Sequence, residues 1–285
     1  MDKNNIAVLL LSCKDQKGLV YKITNFIYEA EGNIIDLDEH VDPAEHMFFV
    51  RVAWSFNDET TNRDLLKEQF GSLANQFNAD WQISFEDEKQ NVAIFVSKYD
   101  HCLQEILWRN SLKEFNINIK MVVSNHEELK PLCEHYSVPF YYFEITEKTK
   151  SEVENKEIDL LKNNSIDIIV LARYMQILSP NFVKKYENKI INIHHSFLPA
   201  FVGGNPYKQA YKRGVKIIGA TSHFVTNELD EGPIIEQDTI RITHNDSVKD
   251  LVTKGRDLER LVLARALLFQ SQNRILVYGK KTIIF

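Results

Sequence analysis

Apolar and polar positions along the chain follow two different patterns, which change over near residue 88. Residues 6–12 are a short apolar run that predicts a strand. Residues 15–20 then open a helix with Asp15 as its expected N-cap, and Leu19, Ile23, Phe26 and Ile27 recur at the spacing that gives a helix one apolar face. Gly32 and Asn33 predict its end. Residues 34–41 and 47–54 read as two strands joined by a turn at Asp42 and Pro43. A second helix over about residues 60–77 and a strand over 81–85 complete a β-α-β-β-α-β order, the split βαβ pattern. The charged run 86–90 lacks apolar anchors and predicts a linker. From Asn91 onward strands at 92–96, 117–123, 166–171 and 189–194 alternate with helices at 103–112, 127–135 and 152–163. That alternation predicts a mainly parallel, doubly wound α/β sheet, whose active site lies beyond the carboxyl ends of its strands. The expected domains are residues 1–86 and 91–285.

Composition fits this picture. Hydrophobic residues make up 44 % and charged residues 26 % of 285, enough for two cores and not the profile of a disordered chain. Net charge is −6, which argues against a nucleic-acid-coating surface. The acidity is uneven: residues 1–85 hold 7 basic and 14 acidic side chains, leaving 34−7 = 27 and 40−14 = 26 for the remainder. The second part is thus nearly neutral and can hold a local basic pocket for an anionic ligand. Cys13, Cys102 and Cys133 are odd in number, widely spaced and form no C-x-x-C, so neither a disulfide framework nor a zinc ribbon is expected. No stretch approaches the ~20 apolar residues of a membrane span, and the apolar run at 6–11 is too short for a signal peptide, so the expected location is the cytoplasm.

Three segments of the second part carry the candidate chemistry. In 191–199, Asn192 and His194 alternate onto one face of a strand's end, where an amide and an imidazole can both donate to one oxygen. In 219–225, Thr221 and His223 share a face. In 229–233, a Gly-Pro turn holds Asp230 on a loop, where its carboxylate can accept a proton. Each also has a plain structural reading: Asn and His anchor loops, Asp before Gly makes turns, and His223 suits a satisfied core position. His195 points opposite to His194 and reads as a supporting residue. The remaining histidines, His101 among them, fall in no ligand spacing, so no metal site is expected.

Taken in order, these segments resemble the formyltetrahydrofolate-dependent formyl-transfer family. Asn192-Ile193-His194 followed by Ser196-Phe197-Leu198-Pro199 is similar to its Asn/His motif, residues 230–235 to its catalytic aspartate loop, and residues 171–180 to its folate-binding segment. The likeness covers residues 91–285 and implies a Rossmann-like formyltransferase domain. It also implies that Asn192, His194 and Asp230 are catalytic, that His223 assists, and that Met175, Gln176, Ile177, Leu178, Ser196 and Gly232 contact the substrate. Folate is then substrate, and no cofactor is implied.

The first domain, through residues 13–20, resembles the ferredoxin-like ACT fold, a small-ligand regulatory module. That likeness implies a homo-oligomer, dimer to tetramer, and an amino-acid effector such as methionine or glycine near Asp15, Gly18 and Leu19. An ACT-like domain ahead of the formyl-transfer domain, together with the doubled His194-His195, resembles the branch of the family whose acceptor is water. Residues 97–102 lack the glycines of a phosphate cradle. The tRNA-formylating relatives are expected to continue into a further C-terminal domain, for which little sequence follows the motifs. The expected reaction is therefore hydrolysis of 10-formyltetrahydrofolate to formate and tetrahydrofolate, with formate feeding purine synthesis. An amine-accepting formyl transferase and a non-catalytic folate- or amino-acid-binding regulator are the alternatives. One departure from the family pattern lies at Gly204 and Asn205, on the expected acceptor side.

Overall fold

The first apolar run forms β1 (Ile6–Lys14), which pairs antiparallel with β3 (Met47–Ser55) on one side and β4 (Asp80–Phe85) on the other. With β2 (Asn33–Asp42) outside β3, the four-stranded sheet has the order β2-β3-β1-β4. These residues belong to a computed structural model that describes residues 5–57, 61–200 and 206–285. Between the strands run α1 (Leu19–Glu29) and α2 (Arg63–Ala74) with a short 3₁₀ turn, Asn75–Phe77, giving the β-α-β-β-α-β order. Leu9, Leu11, Val50, Val52 and Trp54 pack with Ile23, Ile27 and Phe70 to form its core.

Local details differ from expectation. Asp15 does not cap α1: its N–H donates to the His46 carbonyl (2.9 Å), and the capping position belongs to Gly18, whose φ of 88° suits glycine. The left-handed residue after α1 is Glu31, not Gly32. Gly32 is needed for closeness, since a Cβ there would stand 2.6 Å from Trp54 Cδ1. Asn62 caps α2 by accepting from Asp64 N and Leu65 N, and Thr60, the expected start, lies outside the described residues. The segment expected as a linker is tied down: the Arg63 guanidinium donates to both Asp87 oxygens (2.9 and 2.8 Å) and to Glu88 (3.3 Å).

In the second unit seven strands take the order β11-β10-β9-β8-β5-β6-β7. They are β5 (Gln90–Val96), β6 (Ile117–Ser124), β7 (Phe140–Tyr142), β8 (Ile168–Ala172), β9 (Ile190–His194), β10 (Ile217–Phe224) and β11 (Ile234–Arg241). All neighbours from β7 to β9 run parallel, and β10 and β11 are antiparallel additions, so the sheet is mainly parallel. The helices are α3 (His101–Ser111), α4 (Lys130–His135), α5 (Lys150–Asn163), α6 (Pro180–Lys185), α7 (Pro206–Arg213) and α8 (Val248–Ser271). Strands β5 and β8 are buried on both faces, as a doubly covered sheet requires. The three cysteines are free and buried.

The C-terminal end is divided between two compact units, where residues 91–285 are expected as one domain. Compact unit one comprises Met1–Lys89 with Gln272–Leu276 and Ile283–Phe285, and unit two Gln90–Ser271 with Val277–Thr282. The segment after α8 therefore does not belong wholly to the second domain. The physical reason is local: once α8 ends, Arg51 Nε donates to the Asn273 carbonyl (3.2 Å) and its Nη2 reaches the Gln272 carbonyl (3.5 Å). The closing strands β12 (Ile275–Tyr278) and β13 (Lys281–Ile284) pair with each other.

Candidate active site

Strand register builds the site. In the β9–β10 pairing Asn192 stands opposite His223, and Thr221 opposite His194. A register shift between Ser222 and His223 in the β10–β11 pairing re-aims the end of β10, as bulges beside functional sites do. His223 Nδ1 lies 2.9 Å from the Phe224 carbonyl, an acceptor only, so this nitrogen carries the proton. Burial lowers the pKa of His223, which keeps the ring neutral and leaves Nε2 as an acceptor. Asn192 Nδ2 donates to that Nε2 at 3.2 Å, which fixes the amide and leaves its second N–H for a ligand.

Asp230 completes the group. Its Oδ2 lies 3.3 Å from His194 Nδ1, and its Oδ1 lies 3.7 Å from His223 Nε2. Burial opposes ionisation of Asp230, but the hydrogen bond and charge of His194 outweigh it and hold the carboxyl below its ordinary value. Asp230 adopts φ 58°, a left-handed conformation that aspartate tolerates better than most residues. His194 Nε2 is buried without a hydrogen-bond partner.

These residues line a cleft of about 300 Å³ together with Met175, Gln176, Ile177, Leu178 and His195. The 175–178 segment is irregular, so its backbone groups are not committed to sheet or helix ladders. It is pinned from both ends. Met175 N donates to Ser97 Oγ (3.0 Å), Ser179 N to the buried Glu154 (3.0 Å), and the Tyr174 hydroxyl to Glu157 (3.3 Å). Burial pushes the Glu157 carboxyl up to about 7. Met175, Ile177 and Leu229 leave apolar surface exposed at this cleft, a composition that suits a flat aromatic ligand.

Not every expected contact falls there. Ser196 donates to the Ala200 carbonyl (2.7 Å) and lines a neighbouring cavity of about 150 Å³ instead. Gly232 lies outside the cleft lining and serves the fold: a Cβ would stand 1.7 Å from the Phe224 carbonyl oxygen, so only glycine lets the Asp230 loop approach β10. His195 faces both cavities, its ring centroid 5.2 Å from that of His194, rather than simply pointing away. Thr221 organises the loop after β9, accepting from Leu198 N (3.1 Å) and donating to the Ser196 carbonyl (2.9 Å). Gly204 and Asn205 lie outside the described residues. Of the residues expected to bind an effector, Asp15 is exposed, Gly18 has open space around its Cα, and Leu19 buries its side chain in the first unit's core, leaving only backbone to offer.

A second buried group leaves no motif in the sequence. Glu259 on α8 accepts from His101 Nε2 (2.8 Å) and the Tyr207 hydroxyl (2.5 Å), and Arg173 Nε lies 3.4 Å away. Gly255, one turn earlier on α8, makes room, because a Cβ there would meet the Tyr207 oxygen at 2.0 Å. His101, Cys102 and Glu259 bring donor atoms within 4.8 Å of one another, a metal-like grouping that no sequence spacing signals. Their chemistry is that of an ion-pair network. Burial raises the Cys102 thiol well above its usual range, and His101, Tyr207 and Arg173 satisfy Glu259. A mid-helix glycine four residues before a glutamate was the only trace in the sequence.

The chain as a whole is similar to known proteins. The Formyl transferase family matches residues 90–267. A formyltetrahydrofolate deformylase of Synechocystis sp. is 50 % identical over 283 residues, 99 % of each chain. The crystal structure of a formyltetrahydrofolate deformylase from Pseudomonas syringae pv. tomato superposes with a TM-score of 0.96 at 40 % identity, over 99 % of this chain and 94 % of that one. A phosphoribosylglycinamide formyltransferase from Anaplasma phagocytophilum superposes with a TM-score of 0.64 at 28 % identity, over 69 % of this chain and 95 % of that one.

Proposed function

The chain belongs to the formyl transferase family, within it to the formyltetrahydrofolate deformylases, and on that premise we propose that Asn192, His194 and Asp230 hydrolyse 10-formyltetrahydrofolate to formate and tetrahydrofolate. The observation that carries the residue roles is the Asp230–His194 pair beside an Asn192 amide fixed by His223, all lining one cleft with the 175–178 segment.

The formyl oxygen accepts from Asn192 Nδ2 and, once His194 is an imidazolium held by Asp230, from His194 Nε2. Both donors act on the charge that develops as the carbon becomes tetrahedral. Asp230 orients the attacking water through the carboxylate oxygen His194 does not use, accepts its proton and returns one to N10. His223 stays neutral and positions Asn192. Backbone groups of Gln176, Ile177 and Leu178 grip the pterin, and the apolar Met175 covers it.

Water as acceptor agrees with the deformylase relatives matching along the whole chain, whereas the transferase structure matches over 69 % of it. The released formate serves purine synthesis and balances the one-carbon folate pool. The first unit, with its β-α-β-β-α-β order, acts as an ACT-like module that binds an amino acid such as methionine or glycine and joins chains into a homo-oligomer. The protein works in the cytoplasm; among the described residues no helix is long and apolar enough to cross a membrane. The deciding experiment supplies 10-formyltetrahydrofolate without any added acceptor and follows formate. Catalytic release is expected, and release only after adding an amine would overturn the hydrolytic reading.

A further inference from the structure

Hydrolysis leaves a product with a second, water-derived oxygen that the Asn192 and His194 donors to the formyl oxygen do not engage. Water oxygen bonds to the formyl carbon, the C–N10 bond breaks, N10 takes one proton and a second passes to solvent. Formate therefore remains as a monoanion beside the carboxylate of Asp230, where like charges repel. A permanently charged cation beside that oxygen would offset the repulsion, and among the described residues that line the cleft Arg173 is the single lysine or arginine.

Arg173 is unusual in its own right. It follows β8 directly, at the carboxyl end of the sheet, with φ 63°, a backbone conformation that favours glycine. An arginine kept in a disfavoured conformation at a cleft points to a task for its side chain. The side chain is only 10 % exposed, and its Nε is buried without a hydrogen-bond partner. Its counter-ion does not use it up, because Glu259 already accepts from His101 and Tyr207, one on each oxygen. The guanidinium carbon also lies over the Tyr99 ring, 5.2 Å from the centroid, a cation–π contact that helps hold it. His195, in the same lining, adds no competing charge: burial, and after it Arg173, lowers its pKa to about 4.

We propose that Arg173 is the subsite for the formate anion, its planar fork receiving both carboxylate oxygens as the product leaves the formyl position. The proposal rests on the hydrolytic reading above, which is what makes formate the product. Glu259, with His101 and Tyr207, is the positioning support that holds the guanidinium and tempers its charge.

The test titrates ¹³C-formate into the full-length protein at constant ionic strength and follows its NMR signal, with no turnover required. Formate affinity is expected to fall about tenfold or more in Arg173→Gln, the loss of a bidentate charged contact, and less in Arg173→Lys. In Glu259→Gln the guanidinium loses its counter-ion, and formate is expected to bind several-fold tighter. A merely structural Arg173 would weaken binding in both Arg173→Gln and Glu259→Gln, so the opposite signs are the diagnostic readout. If Arg173→Gln does not fold, Arg173→Lys and Glu259→Gln still carry the test. Equal formate affinity in wild type and Arg173→Gln, or no binding to wild type, overturns the subsite. Absence of formate release from 10-formyltetrahydrofolate, with formate binding intact, overturns the hydrolytic reading instead.

Discussion

Replacing Asp230 by asparagine separates chemistry from architecture at the point where they meet. Asparagine has the same shape and tolerates the left-handed backbone at φ 58°, so the loop keeps its path. The cleft wall at 175–178 is pinned by Ser97, Glu154 and Glu157, none of which touches Asp230, so folate binding should persist. What disappears is the carboxylate 3.3 Å from His194 Nδ1, and with it both the base and the charge that stabilises the imidazolium. Loss of a general base typically costs about 10²–10⁴ in rate, or about 3–5 kcal/mol of barrier. Steady-state formate release should show that loss in kcat and kcat/KM alike, with KM nearly unchanged, the pattern of an interaction made only in the transition state. The pH dependence of stability adds a control. Because the folded protein holds the Asp230 carboxyl below its ordinary value, this group contributes stability above the usual carboxylate range, lost as pH falls through the lowered value. Asp230→Asn should lack that acid-side contribution. A folded Asp230→Asn protein with turnover within about tenfold of wild type would refute the assignment, since that lies below the general-base range.

Three further outcomes follow from the same geometry. Asn192→Ala removes one oxyanion donor and should lower kcat by about 10²–10³ in the formate-release assay. His195 has a folded pKa of about 4 against an ordinary 6.5, so the unfolded chain binds its proton first as pH falls. Its contribution is intact above pH 6.5 and lost between there and pH 4, about 3 kcal/mol in all, and urea unfolding of His195→Gln should show a flatter pH dependence over that window. Gly255→Ala gains helix propensity of about 1 kcal/mol but drives a methyl to 2.0 Å from the Tyr207 hydroxyl, so calorimetry should find a lower Tm, with overpacking of about 1–3 kcal/mol prevailing.

Much of this was legible in residue order. Strand and helix periodicities mark β5, β8 and β9, because segments buried on both faces leave continuous apolar runs in the sequence. Alternation along a strand puts Asn192 and His194 on one face, and both line the cleft. What alternation cannot supply is the partner across the sheet. The fixing of Asn192 by His223 depends on antiparallel register between β9 and β10, and that register is set by long-range pairing. Gly232 shows the same limit: its place in a motif suggested a ligand contact, whereas the carbonyl of Phe224, eight residues earlier, is what demands it.

Sequence by itself determined the β-α-β-β-α-β order, the mainly parallel sheet, and the side chains with the right chemistry at strand ends. Those properties are local, since they depend on period, propensity and functional group. Tertiary structure alone decided which side chains meet. It joined Arg173 after β8, His101 opening α3, Tyr207 on α7 and Glu259 on α8 into one buried group, though no spacing in the chain relates them. It also gave Gln272–Leu276 to the first unit through the carbonyls that Arg51 reaches. Charges and donors buried far apart in sequence must find one another or remain unpaired, and that requirement is satisfied only when the fold closes.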